Sequence, residues 1–132
     1  MSIFGGGALG TFIDPSSAQT LTNKRITLRV VTLTDAATVT PNADTTDIGL
    51  LLTLSQATQI ANPTGAPTDG QRLSLRIKST TARALTYGAQ FRGGTDIALL
   101  ASTTGGSKTD YLGFIFNAAD TTWDFTATTR GY

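Results

Sequence analysis

From Lys24 onward, apolar and polar residues alternate in short runs broken by turn formers. In KRITLRVVTLT, Ile26, Leu28 and Val30 share one face and Arg25, Thr27 and Arg29 the other, a period of two that predicts a strand. The Val30-Val31 doublet breaks the period and predicts a bulge or a change of sheet. ATVT reads as a short strand and PNADTTD as a turn. DIGLLLTLS then alternates through Ile48, Leu50, Leu52 and Leu54, with Leu51 as the exception, and TQIA adds another short strand. NPTGAPTDG, dense in Pro, Gly, Asn and Asp, is the clearest loop. QRLSLRIK after it carries the cleanest alternation, with Leu73, Leu75 and Ile77 inward and Arg72, Ser74, Arg76 and Lys78 outward. ARALTYG, AQFR and IALLA predict brief strands around the GGTD turn, and STTGGSK is a flexible loop. DYLGFIFN and TWDFTAT close the pattern as two aromatic strands joined by AADT, with Trp123 and Phe125 facing Phe114 or Phe116 in a core. About nine short strands without an amphipathic helical stretch predict an all-β fold, an antiparallel β-sandwich or jelly-roll-like barrel.

Residues 1–23 stand apart as an extended N-terminal arm, leaving 24–132 as one β-sandwich domain. The arm sets Ile3, Phe4, Leu9, Phe12 and Ile13 among glycines, with a turn at Asp14-Pro15. Two roles stay open for so many large apolar side chains: folding back on the domain, or docking on another subunit. GGGALG matches the dinucleotide fingerprint letter for letter. That fingerprint needs a strand before it, a helix after it and an acidic residue about 20 positions on. Only MSIF precedes, Pro15 and turn formers follow, and KRITLRVV is basic. The glycines instead suit an extended segment whose backbone lies against a neighbouring sheet edge, with Phe4 and Phe12 in pockets.

Composition narrows the chemistry. The chain has 132 residues, no His, no Cys and no Glu, three Lys, and Thr at about a fifth. Thiolate and imidazole metal sites and His-dependent triads are excluded, and no cofactor is expected. Charged residues are 14% and the net charge is +1, which argues against nucleic-acid binding. No apolar run reaches the length of a membrane span and no signal-peptide pattern is present. A polar but weakly ionic surface suits lasting contact with other protein.

Two stretches carry a likeness. NPTGAPTDGQRLSLRIKSTTARALTYGAQFR and YLGFIFNAADTTWDF resemble a β-module of tailed-bacteriophage structural proteins, among them head decoration (cement) proteins and tail-fibre ends. Its distinctive pieces are Asn62-Pro63-Thr64-Gly65, Asp69-Gly70-Gln71, the strand from Arg83 to Tyr87, and Asn117 to Asp120 before Trp123. The likeness spans residues 45–128. It implies a non-enzymatic virion component, made in the host cytoplasm and placed on the capsid exterior, which binds the major capsid protein and itself, most simply as a homotrimer. A tail-fibre or spike tip that recognises a host receptor, glycan included, is the alternative.

Three constellations are candidate sites. Asp44 with Asp47, and Asp120 with Asp124, are conceivable two-carboxylate pairs for glycoside cleavage, although Asp in turns also serves the backbone. Arg72, Arg76 and Lys78 form a basic stripe suited to an acidic protein surface; alternatively it is a solvated face that discourages edge pairing. The third is the apolar arm, residues Ile3, Phe4, Leu9, Phe12 and Ile13. Removing residues 1–13 is expected to leave the β-domain folded, by circular dichroism, while weakening attachment to its partner; an unfolded product would make the arm part of the core.

Overall fold

The computed structural model describes residues 16–20 and 22–132. Among these, nine strands form: β1 (Val30–Thr32), β2 (Thr38–Val39), β3 (Ile48–Leu51), β4 (Thr58–Ile60), β5 (Arg72–Ser79), β6 (Leu85–Tyr87), β7 (Phe91–Arg92), β8 (Lys108–Asn117) and β9 (Thr122–Thr129). They build a six-stranded sheet in the order β1-β3-β5-β8-β9-β7 and a three-stranded sheet in the order β2-β4-β6.

The all-β expectation holds, but strand direction does not follow the antiparallel one. Five of the seven strand pairings are parallel, and only β5–β8 and β8–β9 are antiparallel. The cause is the path of the chain. From β1 to β6 it passes alternately from one sheet to the other, so each strand lies beside the strand two before it and points the same way. A parallel pair needs a crossover, and here the crossover is a strand of the opposite sheet. The result is three turns of a parallel coil. After it, the AADT turn closes a β8–β9 hairpin that covers the free side of β5.

Parallel register stacks like positions. Gly49 lies beside Leu75 and Leu51 beside Ile77, while Leu75 faces Leu112 across the antiparallel pair. These inward rows meet Val39, Ile60 and Leu85 of the smaller sheet in one buried cluster. Leu73, Leu75 and Ile77 are wholly inaccessible to solvent, as the alternation in QRLSLRIK predicts. In DIGLLLTLS the parity is the reverse of the expected one from Ile48 to Leu52, while Leu54 is buried as expected. Gly49, Leu51 and Leu54 are buried, Ile48 and Leu50 are half-exposed, and Leu52 is exposed. Gly49 explains the reversal: a Cβ there would come within 2.7 Å of Leu33 Cδ1 and 3.0 Å of Leu75 Cδ2. The missing side chain is the room those two leucines fill, so the glycine belongs to the inner face. KRITLRVV likewise begins as a strand only at Val30, and Ile26, Leu28 and Val30 face outward. IALLA forms no strand; the chain there runs along β6 instead, Leu85 N–H donating to the Ala101 carbonyl at 2.9 Å.

The NPTGAPTDG loop is shaped as its glycines require. Gly65 and Gly70 take φ of +91° and +78°, the region only glycine enters freely. The Asp44 carboxylate accepts from Ala66 N–H at 2.9 Å, and Asp69 accepts from Ala118 N–H at 3.0 Å, which ties this loop to the AADT turn. In that turn Asn117 Oδ1 accepts from Ala119 N–H at 3.1 Å, an Asx turn.

Aromatic rings fill the hairpin end of the core. Phe116 and Trp123 face each other across β8–β9 with centroids 5.1 Å apart, and Phe114 lies 4.9 Å from Phe91 and 5.0 Å from Phe125. Trp123 is fully buried. Trp123→Ala is therefore expected to cost about 3–5 kcal/mol of unfolding free energy in a urea titration; a loss below about 1 kcal/mol would contradict its burial.

Candidate functional site

Two surfaces and two carboxylate pairs repay inspection. The first surface is the head of the coil. β1 and β2 are the outermost strands of their sheets, and among the described residues no strand pairs with their outer edges. The chain leading into β1 is exposed, with Ile26 at 83% and Leu28 and Val30 each at 53% accessibility. Three exposed large apolar side chains close to a strand edge unpaired among the described residues are what native sheets ordinarily hide.

The start of β1 is pinned to the coil by one ion pair. Arg29 Nη2 lies 2.6 Å from Asp47 Oδ1, and Arg29 Nε and backbone N–H both donate to Oδ2, at 3.0 and 2.7 Å. Asp47 N–H donates back to the Arg29 carbonyl at 2.9 Å, and the guanidinium reaches the Asp44 carbonyl. These bonds from Arg29 hold the Asp47 carboxyl down at about 2.

The second surface lies where β3 stops at Leu51 and turns away while β5 and β8 continue. The gap is a cleft of about 690 Å³ that Arg76, Lys78, Tyr111, Thr109 and Leu52 help to line. Arg72, Arg76 and Lys78 all project from the outer face of β5, as the alternation predicts, but only the last two reach the cleft; Arg72 stands at the other end of the strand, beside Ile115. The Arg76 guanidinium sits over the Tyr111 ring, 5.6 Å from its centroid, a cation–π contact. Tyr132 packs edge-on to Tyr111 with centroids 5.8 Å apart. The edge-guarding role considered for the stripe does not apply, because β5 is an inner strand between β3 and β8.

Tyr111 and Leu52 join this surface without having been singled out in the sequence. Tyr111 could have been found: if Leu112, Phe114 and Phe116 point inward along DYLGFIFN, Tyr111 must point outward. Leu52 gave no such signal, since it sits in the turn after β3. The arm residues Ile3, Phe4, Leu9, Phe12 and Ile13, and the GGGALG run with them, lie outside the described residues.

In each carboxylate pair one member is held ionised by an arginine. A general acid requires a carboxyl kept protonated near neutral pH. Asp47 is shifted the opposite way by Arg29. Asp120 and Asp124 are bridged by Arg92, at 2.9 Å to each, and Asp124 is lowered by that bond, with further bonds from Thr122 and Asn117. No protein family, curated protein or solved structure matches the chain.

The Arg29–Asp47 pair has a defined pH signature. Because the folded carboxyl titrates at about 2 and an unfolded Asp at about 3.9, the pair stabilises the fold above about pH 4. That contribution is lost as the pH falls through about 2. Asp47→Asn should lower the melting temperature at neutral pH, and the gap from the wild type should close between about pH 4 and about pH 2. A gap that stays constant over that range would show that the charge contributes nothing.

Proposed function

We propose that this chain is a non-enzymatic structural protein of a phage virion, a cement or decoration subunit that binds the major capsid protein lattice from outside. The observation that carries this reading is the open head of the coil. A β1 edge unpaired among the described residues, with Ile26, Leu28 and Val30 exposed, can accept an extended strand from another polypeptide, main-chain hydrogen bonds giving affinity and apolar side chains the packing. The arm of a neighbouring copy and a strand of the shell are both suitable partners. The likeness of residues 45–128 to phage β-modules supports the same reading, as does a surface rich in Thr and poor in charge.

The mechanism is multivalent. Each subunit makes modest contact, but an oligomer, most simply a homotrimer, that bridges several shell proteins gains effective concentration. A protein that binds only the assembled shell raises its resistance to heat by mass action.

Host-receptor recognition at a tail-fibre or spike tip is the second reading, and one observation favours it: Arg76 and Lys78 line a cleft beside an exposed tyrosine. Electron microscopy of particles carrying a labelled copy separates the two. Density over the head lattice is expected, and density at the tail would transfer the assignment to recognition. Particles lacking the protein should also lose infectivity on heating sooner than the wild type; equal survival would count against the cement role.

A further inference from the structure

The arginines of this protein fall into two groups. Arg29, Arg92 and Arg130 each lie within 4 Å of an aspartate carboxylate: Asp47, Asp120 with Asp124, and Asp110 respectively. On the outer face of β5 the pattern stops. Arg76 and Lys78 form no ion pair among the described residues, and the Arg76 Nε–H is buried without a hydrogen-bond partner. Arg76 and Lys78 both line the cleft, and cations without an ion-pair partner there can take one from outside.

The cleft around them is built for one kind of visitor. Among the described residues no acidic side chain lines it, so an anion meets two cations at its wall. The Tyr111 ring supports the guanidinium and keeps its fork, the natural match for a planar oxyanion, from swinging freely. Thr53, Thr80, Ser107 and Thr109 add hydroxyls to the walls, and none of the four spends its hydroxyl on a hydrogen bond within the described residues. Leu52 is the one exposed large apolar side chain besides the tyrosine. Open hydroxyls paired with cations suit a ligand that is itself polyhydroxylated and acidic. The volume, about 690 Å³, lies within the range of small-ligand sites.

We infer that the Arg76–Lys78–Tyr111 cleft is a binding site for a saccharide bearing an oxyanion, with Arg76 and Lys78 holding the carboxylate or sulfate and the surrounding hydroxyls meeting the sugar's own. This deepens the recognition reading but does not require it. Binding is measured on the isolated chain and location on the particle, so either can fail alone.

The test titrates the full-length chain with an oligogalacturonate, a sulfated galactan oligomer, a neutral galactan oligomer and a polyaspartate peptide, followed by amide NMR shifts and calorimetry. One or both acidic sugars should bind, shifting the amides of Thr109 and Tyr111, and the neutral oligomer should bind at least about tenfold more weakly. The stronger of the two acidic sugars identifies the oxyanion. Arg76→Ala and Lys78→Ala should each weaken binding by about 10- to 100-fold. Lys24→Ala, which removes the same charge elsewhere, should leave binding unchanged. Lys78 is exposed, so its variant reports on binding even if Arg76→Ala disturbs the fold. Failure of both acidic sugars to bind at millimolar concentration, equal binding of the neutral oligomer, or tighter binding of polyaspartate at these amides would each overturn the proposal.

Discussion

β5 is wedged between β3, to which it runs parallel, and β8, to which it runs antiparallel, and every other feature depends on both registers being kept. Its odd-numbered side chains from Leu73 to Ile77 are wholly buried, while Arg72, Arg76 and Lys78 face outward. Strands have a side-chain period of two, so a slip by one residue would exchange these sets. It would expose three large aliphatic side chains, each worth about 1.5–3 kcal/mol in burial, and drive cations into the core. That penalty is far larger than the fold could absorb. The same alternation therefore fixes the centre of the core and presents the positive charge of the outer face. The core and the cleft cannot vary independently.

A parallel coil also has two unlike ends. Each turn adds its strands to the same side of both sheets, so the last turn can be covered by whatever follows in the chain. Here the β8–β9 hairpin covers β5, and the segment around Ala101 to Thr103 runs along β6 through bonds from Leu85 and Thr103. The first turn has no preceding strand to do the same among the described residues. Its strands are short, three residues in β1 and two in β2, which limits the exposed ladder. The segment that leads into β1 interleaves exposed Ile26 and Leu28 with Lys24, Arg25 and Arg29, charges of the kind that temper an open edge. The asymmetry follows from connectivity and directs any edge-on assembly to one end of the molecule.

How much of this was legible in the sequence depended on what each signal encodes. Alternation encodes faces, and in QRLSLRIK and at Phe114, Phe116 and Trp123 it placed core residues correctly, whereas in KRITLRV the apolar face is exposed. Alternation carries no information about strand direction. A tight turn does, and the one clear case, AADT, does close an antiparallel hairpin. The connections between β1 and β6 are all longer than this four-residue turn, a hint that successive strands do not pair with each other. The inner face of β3 was misplaced because apolar residues were counted as inward. Gly49 is the true inner residue, and its role appears only when Leu33 and Leu75 are seen converging on it. The cleft was half legible: Arg76 and Lys78 stood out, but the departure of β3 after Leu51 that opens it is tertiary.

Net charge was the least informative number. Ten cations against nine aspartates suggests a surface with no electrostatic character. The structure sorts them unevenly, however. The aspartates that pair do so with Arg29, Arg92 and Arg130, near strand ends and in the last hairpin, and Asp47 and Asp110 also serve backbone N–H groups, Asp110 accepting from Thr104 and Gly131 at 2.6 and 3.1 Å. These aspartates sit in a turn or within two residues of a strand end, so each neutralises whichever arginine lies near that end. The middle of a long strand offers no such turn. Outward cations on β5 are thus left unpaired by the geometry of the fold itself, and a nearly neutral chain acquires one concentrated positive surface.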